Sequence, residues 1–298
     1  MEHRNLGRTG LRISVLGFGG SEIGFEKAPQ SDVDRLLHSA IDAGLNVIDT
    51  AAFYPESEKK IGAAVGSRRG DFILLTKCGH PGNDDPQYWS PAALAQSIDQ
   101  SLKDLQTDHV DLVQLHSCGE STLRKGEAIE VLRRAREAGK TRFIGYSGEG
   151  AAALYAVECG AFDTLQTSVN IADQSSIEST LPNAHAAGMG VIAKRPIANA
   201  AWKTGQKPVS AYHHVYWDRL QQLQYDFLSD ALAKSVSIAL RFTLAQPGVT
   251  TAIVGTTNPD RWTGNARLLG DGPLDPKLIE QIRARWKSVA TADWVGQI

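Results

Sequence analysis

Four side chains able to handle a proton fall at the ends of three consecutive apolar runs. Asn46-Val47-Ile48-Asp49 ends in a carboxylate, with Tyr54 shortly after it; Phe72 to Thr76 runs into Lys77; His109 to Leu115 runs into His116. If these runs are parallel neighbouring strands, an acid, a phenol, an ammonium and an imidazole converge on one mouth of the sheet. Such a set suits the transfer of a proton to an oxygen. Hydride addition to a carbonyl leaves an alkoxide that must be protonated, and phenol, with an ordinary pKa of about 10, is a poor acid at neutral pH. A nearby ammonium lowers that pKa by stabilising phenolate, and a carboxylate keeps the ammonium charged and in place. Tyr54, Lys77 and Asp49 supply that trio. A neutral His116 directed at the substrate oxygen would align and polarise the carbonyl. Taken singly, Asp49 reads as a turn cap, Tyr54 as a wall aromatic, Lys77 as a solvated strand end and His116 as a core histidine. Taken together, at the ends of strands two to four, they read as chemistry.

The elements that must position these groups alternate with regularity. Leu6 to Ile13 reads as a short N-terminal hairpin, and Val15 to Ser21 as a strand with a glycine-rich exit. Ser31 is placed to cap a helix to Ala43, with Gly44 as its left-handed stop. Helices follow over Glu58 to Val65, from Ser90-Pro91 onward, and over Glu127 to Ala138, Ala151 to Glu158 and Ser179 to Ala187. Strands fall between them at Arg142 to Ser147, Thr164 to Asn170 and Gly190 to Ala193. Residues 199–230 break the rhythm as a long, polar, aromatic loop after strand seven. A helix Lys234 to Ala245, a strand Thr251 to Gly255 and helices from Asn258-Pro259 and over Leu278 to Val289 complete the chain. Eight strands each followed by a helix, without a compositional break, predict a single (β/α)8 TIM barrel domain spanning residues 1–298, a fold whose C-terminal strand ends carry the chemistry. A doubly wound sheet would want a G-x-G-x-x-G motif opening a helix; Gly17-Phe18-Gly19-Gly20-Ser21-Glu22 fails that pattern, and no helix is expected there.

Composition narrows the function class. Hydrophobic residues make up 42% and charged residues 21%, with a formal net charge of -2, so nothing draws the chain to nucleic acid or to an anionic membrane. The first residues hold no apolar leader, no window is long enough to span a bilayer, and three cysteines without framework spacing suggest reduced thiols in the cytoplasm. Cys78 and Cys118 read as small buried thiols rather than redox sensors. No set of His, Cys, Asp and Glu has metal-ligand spacing.

The chain resembles the aldo-keto reductases along nearly its whole length. Asp49-Thr50-Ala51 with Tyr54, Thr76-Lys77 and Leu115-His116 match that family's catalytic tetrad in type, order and strand position. The opening hairpin, Leu16-Gly17-Phe18-Gly19, and Ala239-Leu240-Arg241-Phe242 followed by Pro247-Gly248-Val249 are similar to family features. The resemblance implies an NADPH-dependent reductase of aldehydes or ketones, NADH being possible, whose cofactor lies across the barrel mouth. It places Ser147 and Gln166 at the nicotinamide carboxamide, Gly20, Ser21 and Asp49 along the cofactor, Gly255, Thr256, Thr257 and Arg261 at the adenosine 2'-phosphate, and Asn265 near the adenine. Several positions depart from the pattern. Gly148 stands where asparagine is usual, Lys194-Arg195-Pro196 replaces aromatic-Ser-Pro, Gly255 replaces a lysine and Gly264 a glutamate. A cation at Lys194 or Arg195 would then face the pyrophosphate. Phe53, Tyr54, Trp89 and His116 are expected to line the substrate, a small-molecule carbonyl. Two other readings fit the same residues: a Schiff-base aldolase using Lys77, and an NADPH-binding regulatory subunit with little turnover. Oligomeric state is left open.

Overall fold

The computed structural model describes residues 1–82 and 85–297, apart from the side chain of Pro86. Two short antiparallel strands, β1 (His3–Asn5) and β2 (Arg12–Ser14), form the hairpin. Eight parallel strands then close into a barrel: β3 (Leu16–Gly19), β4 (Val47–Asp49), β5 (Ile73–Cys78), β6 (Val110–His116), β7 (Thr141–Ser147), β8 (Thr164–Ser168), β9 (Gly190–Lys194) and β10 (Val249–Gly255), with β10 pairing back onto β3. The (β/α)8 barrel expected from the alternation is therefore the fold.

Strand periodicity explains why one end of the barrel is dry and the other reactive. Alternate residues point inward, so Val47, Leu75, Leu112, Ile192 and Ile253 form an inner apolar cluster that the hairpin's Leu6, Leu11 and Ile13 plug from below. One pleat further along the same strands stand Asp49, Lys77, Gln114, Lys194 and Gly255. The register aligns Lys77 with Gln114 but Asp49 with Leu75, so β4 and β5 are staggered by one pleat while β5 and β6 are level. A second apolar layer between strands and helices contains Phe18, Ile48, Leu74 and Val113 among its fully buried members.

Several local expectations are corrected. Ser31 does not cap its helix: the helix is Gln30–Asp42 with Pro29 at the N-cap, because proline's fixed φ is compatible with that position while Ser31 already lies inside the first turn. Ser90 does cap, accepting from the Ala93 amide at 3.3 Å, with Pro91 at the first helical position. A short helix, Ser21–Phe25, does start after the glycines of β3, although the sheet closes as a barrel regardless. The 199–230 segment is not all loop. It contains a helix, His214–Leu223, that buries Tyr216, Leu220 and Leu223 against its own barrel and the helix Pro276–Val289. Among the described residues no helix is long and apolar enough to cross a membrane.

Candidate active site

The four groups meet at the C-terminal mouth of the barrel. Lys77 Nζ donates to Asp49 Oδ2 at 2.5 Å and to the Thr50 carbonyl at 2.9 Å, and both side chains are about 1–2% exposed. The ammonium stands 5.1 Å from the centre of the Tyr54 ring. The rings of Tyr54 and His116 meet edge-on, 5.6 Å apart. Burial pushes the Lys77 pKa down, but Asp49 and Tyr54 outweigh it and the result is a raised value. The amine therefore stays protonated, which removes the nucleophile that a Schiff-base aldolase at Lys77 would need.

Tyr54 differs from expectation in one respect. Lys77 does favour its phenolate, but burial is the larger effect and Asp49 adds to it, so the phenol pKa is raised, not lowered. Tyr54 thus holds its proton firmly until a stronger base, such as an alkoxide, is presented to it. His116 behaves as anticipated. Burial, reinforced by Lys77 and Lys194, lowers its pKa well below the ordinary value and keeps the ring neutral. Its Nδ1 is buried without a partner among the described residues.

Asp49 is held on its other oxygen too. Gln166 Nε2 donates to Oδ1 at 2.8 Å and Gln114 Nε2 at 3.3 Å, while Ser147 Oγ donates to Gln166 Oε1 at 3.2 Å. Ser147 and Gln166, the expected carboxamide ligands, are thereby tied to the tetrad. Gln114 was not singled out from the sequence, although its place two residues before His116 on one strand face marks it as inward-pointing.

Beside this mouth runs a cleft of about 390 Å³. Its lining includes the expected Gly20, Ser21, Asp49, Tyr54, Gln166, Lys194, Arg195, Gly255, Thr256, Thr257, Arg261 and Asn265. Lys77, His116 and Ser147 are buried and are not part of this lining. The cleft suits an extended dinucleotide on the chemistry of its donors: amide and hydroxyl groups near the tetrad, hydroxyls and a guanidinium at the exit of β10. Asn199 Nδ2, on the cleft wall, is buried without a partner among the described residues. The same wall carries left-handed backbone at Arg195, Ala198, Asn199 and Ala200, with φ of 45–55°. Backbone of this kind clusters at active sites, ligand clamps and switch regions.

The departures noted in the sequence have structural causes. A Cβ at Gly148 would stand 2.4 Å from the Tyr146 hydroxyl, which is fixed by a 2.6 Å bond to the Cys118 carbonyl, so Tyr146 excludes an asparagine there. Lys194 and Arg195 line the cleft and already hold protein partners there. Lys194 Nζ pairs with Glu149 Oε1 at 3.1 Å, and Arg195 binds Tyr212 Oη, Ser168 Oγ and the Gln297 carbonyl. Glu149, unremarked in the sequence, is also held by Thr167 and Ser168. Burial, with Arg195 and Lys77, lowers the Lys194 pKa to about 8 despite Glu149.

Trp89, expected as a substrate wall, is instead 5% exposed in the hydrophobic core, its ring packed over Gly79 where a Cβ would come within 2.4 Å. Phe53 does flank the tetrad, 6.2 Å from His116, and it is joined by His80 at 4.6 Å and Phe25 at 6.0 Å. Tyr88 extends this aromatic rim, 4.6 Å from His80. Burial pushes the Cys78 thiol up to about 12, so it is inert at physiological pH.

Residues 15–287 match the Aldo/keto reductase family. The chain is 28% identical to L-galactose dehydrogenase of Arabidopsis thaliana, over 100% of this chain and 98% of that one. It is 24% identical to a probable voltage-gated potassium channel subunit beta of Oryza sativa subsp. japonica, over 95% and 96% of the two chains. Among solved structures, an aldo-keto reductase from Bacillus halodurans in its holo form superposes with a TM-score of 0.84 at 25% identity, covering 99% of each chain.

Proposed function

We propose, from the premise that the chain belongs to the aldo/keto reductase family, that this nicotinamide-dependent oxidoreductase reduces a small aldehyde or ketone at the Asp49, Tyr54, Lys77 and His116 site. The observation that carries the reading is the buried Lys77–Asp49 pair beside the Tyr54 ring, at the mouth of a cleft with donors for a dinucleotide. A bound reduced nicotinamide supplies hydride to the carbonyl carbon. The protein's part is the proton and the alignment. His116, neutral, donates to the carbonyl oxygen and polarises it; Tyr54 delivers its proton to that oxygen as negative charge develops there. Lys77 stabilises the phenolate left behind, and Asp49 keeps Lys77 charged. Ser147 and Gln166 would hold the carboxamide, and Thr256, Thr257, Arg261 and Asn265 the adenosine end.

NADPH is the cofactor expected from the resemblance, with Arg261 as its phosphate ligand. The aromatic rim of Phe25, Phe53, His80 and Tyr88 would enclose the substrate. None of Cys78, Cys118 and Cys159 is in a disulfide, which accords with a cytoplasmic setting for one barrel domain. The regulatory-subunit reading has a relative in the potassium channel subunit beta, but the buried Lys77–Asp49 pair beside Tyr54 supports turnover. The decisive experiment follows loss of reduced-nicotinamide absorbance against a panel of carbonyls for the native chain and Tyr54→Phe. A drop of about 10²–10⁴-fold is expected for the variant; undiminished reduction would overturn the assignment.

A further inference from the structure

The rim beside the tetrad is aromatic on its faces and offers an unpaired acceptor on one of its rings. This inference rests on the reading of the mouth as a carbonyl-reducing site. The chain leaves β5 through Gly79, whose φ of 91° is left-handed and over which the Trp89 ring packs, 2.4 Å from where a Cβ would stand. His80 follows at once and is enclosed by rings. Phe53 meets it edge-on at 4.6 Å, and Tyr88, from a short helix (Pro86–Trp89), lies 4.6 Å away at a tilt of 38°. Phe53 in turn is 6.2 Å from His116. His80 therefore stands one ring beyond the group that would grip the carbonyl oxygen.

The tautomer of His80 is fixed by its neighbour. Nδ1 lies 3.1 Å from the Pro81 carbonyl oxygen, which can only accept, so Nδ1 carries the hydrogen. In the neutral ring Nε2 is then an acceptor, and it has no hydrogen-bond partner among the described residues. A substrate lying along Phe53 would cover this atom. If the far end of that substrate is hydrocarbon, Nε2 loses water and gains nothing, at a cost of about 1–3 kcal/mol. A carboxylate fares no better, since it too can only accept. A hydroxyl can donate, and the carbon that bears it suits the surrounding ring faces.

We propose that His80 is a specificity-determining residue whose Nε2 accepts from a hydroxyl carried about one ring's width from the carbonyl, so that the site selects hydroxylated aldehydes and ketones over hydrocarbon ones. The probes are para-hydroxymethylbenzaldehyde and para-ethylbenzaldehyde, which have equal heavy-atom counts and differ in a terminal hydroxyl against a methyl. Apolar burial alone would favour the ethyl compound. The measurement is kcat/KM of the full chain for each aldehyde at mildly alkaline pH, with NADH and with NADPH. The native chain is expected to favour the hydroxymethyl compound about tenfold, equivalent to about 1.4 kcal/mol. In His80→Phe, which keeps a ring and removes the acceptor, that ratio is expected to fall to about one or below. Because the readout is a ratio, any effect of the substitution common to both aldehydes cancels. A native ratio near one, or a native preference that His80→Phe leaves intact, overturns the role of His80 while the carbonyl-reducing reading stands. Failure of the native chain, shown to be folded by circular dichroism, to reduce either aldehyde or any other carbonyl overturns that reading and the role of His80 together.

Discussion

Gln166 on β8 reaches across the barrel mouth and donates to Asp49 Oδ1 on β4 at 2.8 Å, so that Asp49 divides its oxygens between an amide and the Lys77 ammonium on Oδ2. One carboxylate therefore ties the expected carboxamide ligand to the proton-transfer pair. Asp49→Asn preserves the acceptor for Gln166 and deletes the charge facing Lys77. Removing one partner of a buried pair costs about 3–5 kcal/mol, because the other charge is left uncompensated. Urea unfolding of this variant is expected to show a loss in that range, with its Lys77 pKa driven down by the remaining burial. A loss below about 1 kcal/mol would mean that water or another group already neutralises Lys77.

Tyr146 and Gly148 form a matched pair on β7 and its exit. A Cβ at 148 would meet the Tyr146 ring and hydroxyl at 2.4–2.6 Å. Gly148→Asn is expected to destabilise by about 1–3 kcal/mol through overpacking. Because the clash needs both side chains, Gly148→Asn made in a Tyr146→Ala background should cost less than in the native one. A double-mutant cycle measured by denaturation checks this: additive losses would show that the clash is relieved elsewhere.

The positions of Asp49, Lys77 and His116 were legible in the sequence because strand alternation is strict, whereas Tyr54 lies in the loop after β4 and was read from residue type and the family resemblance. Once Val47, Leu75 and Leu112 are taken as inward, Asp49, Lys77, Gln114 and His116 must follow on the same face, and Gln114 was as readable as the rest. The pairing of Lys194 and Arg195 was not legible because their partner Glu149 is distant in sequence and enters from the loop after β7. No local pattern announces such a pair. The helix His214–Leu223 has its buried positions at Tyr216, Leu220 and Leu223, a helical spacing masked by the polar residues around it. Ser21–Phe25 is too short for periodicity to register at all. The direction of the Tyr54 shift was beyond the sequence for a different reason. It depends on the balance between burial and one ammonium, and burial is known only once the fold is.

Glu58 is a carboxyl group buried outside the barrel wall, where its Oε1 accepts from Thr76 Oγ1 at 2.5 Å; burial raises its pKa to about 7, against the hydrogen bond, which lowers it. The fold thus favours the protonated form. Relative to the unfolded chain, Glu58 contributes no penalty below pH 4.5, loses stability progressively as pH rises to about 7, and carries a constant penalty above that. Glu58→Gln keeps an acceptor for Thr76 and cannot ionise. The variant should match the native protein near pH 4 and exceed its stability above pH 7, by about 1–3 kcal/mol. Thermal unfolding midpoints across that range check it, and a constant difference between the two proteins at every pH would refute the shift.

The pH dependence of reduction follows from the two groups that touch the substrate oxygen. His116 must be neutral, and its pKa lies well below 6.5, so its protonation limits the rate only in acid. Tyr54 must keep its proton, and its pKa lies above 10, so the acid is intact throughout the neutral and mildly alkaline range. The profile of kcat/KM for carbonyl reduction is therefore expected to be flat from about pH 6.5 to 10, with both falls outside that window. Lys194 provides the contrast. Its pKa of about 8 falls inside the plateau, and loss of its proton removes one cation from the pair with Glu149. If Lys194 acts on the reacting atoms, a break appears near pH 8 and vanishes in Lys194→Met. If it only neutralises Glu149, the plateau is uninterrupted in both proteins, as the pairing geometry leads us to expect. A profile that falls through neutral pH and persists in Lys194→Met would return the phenol to a lowered pKa and contradict the burial argument for Tyr54.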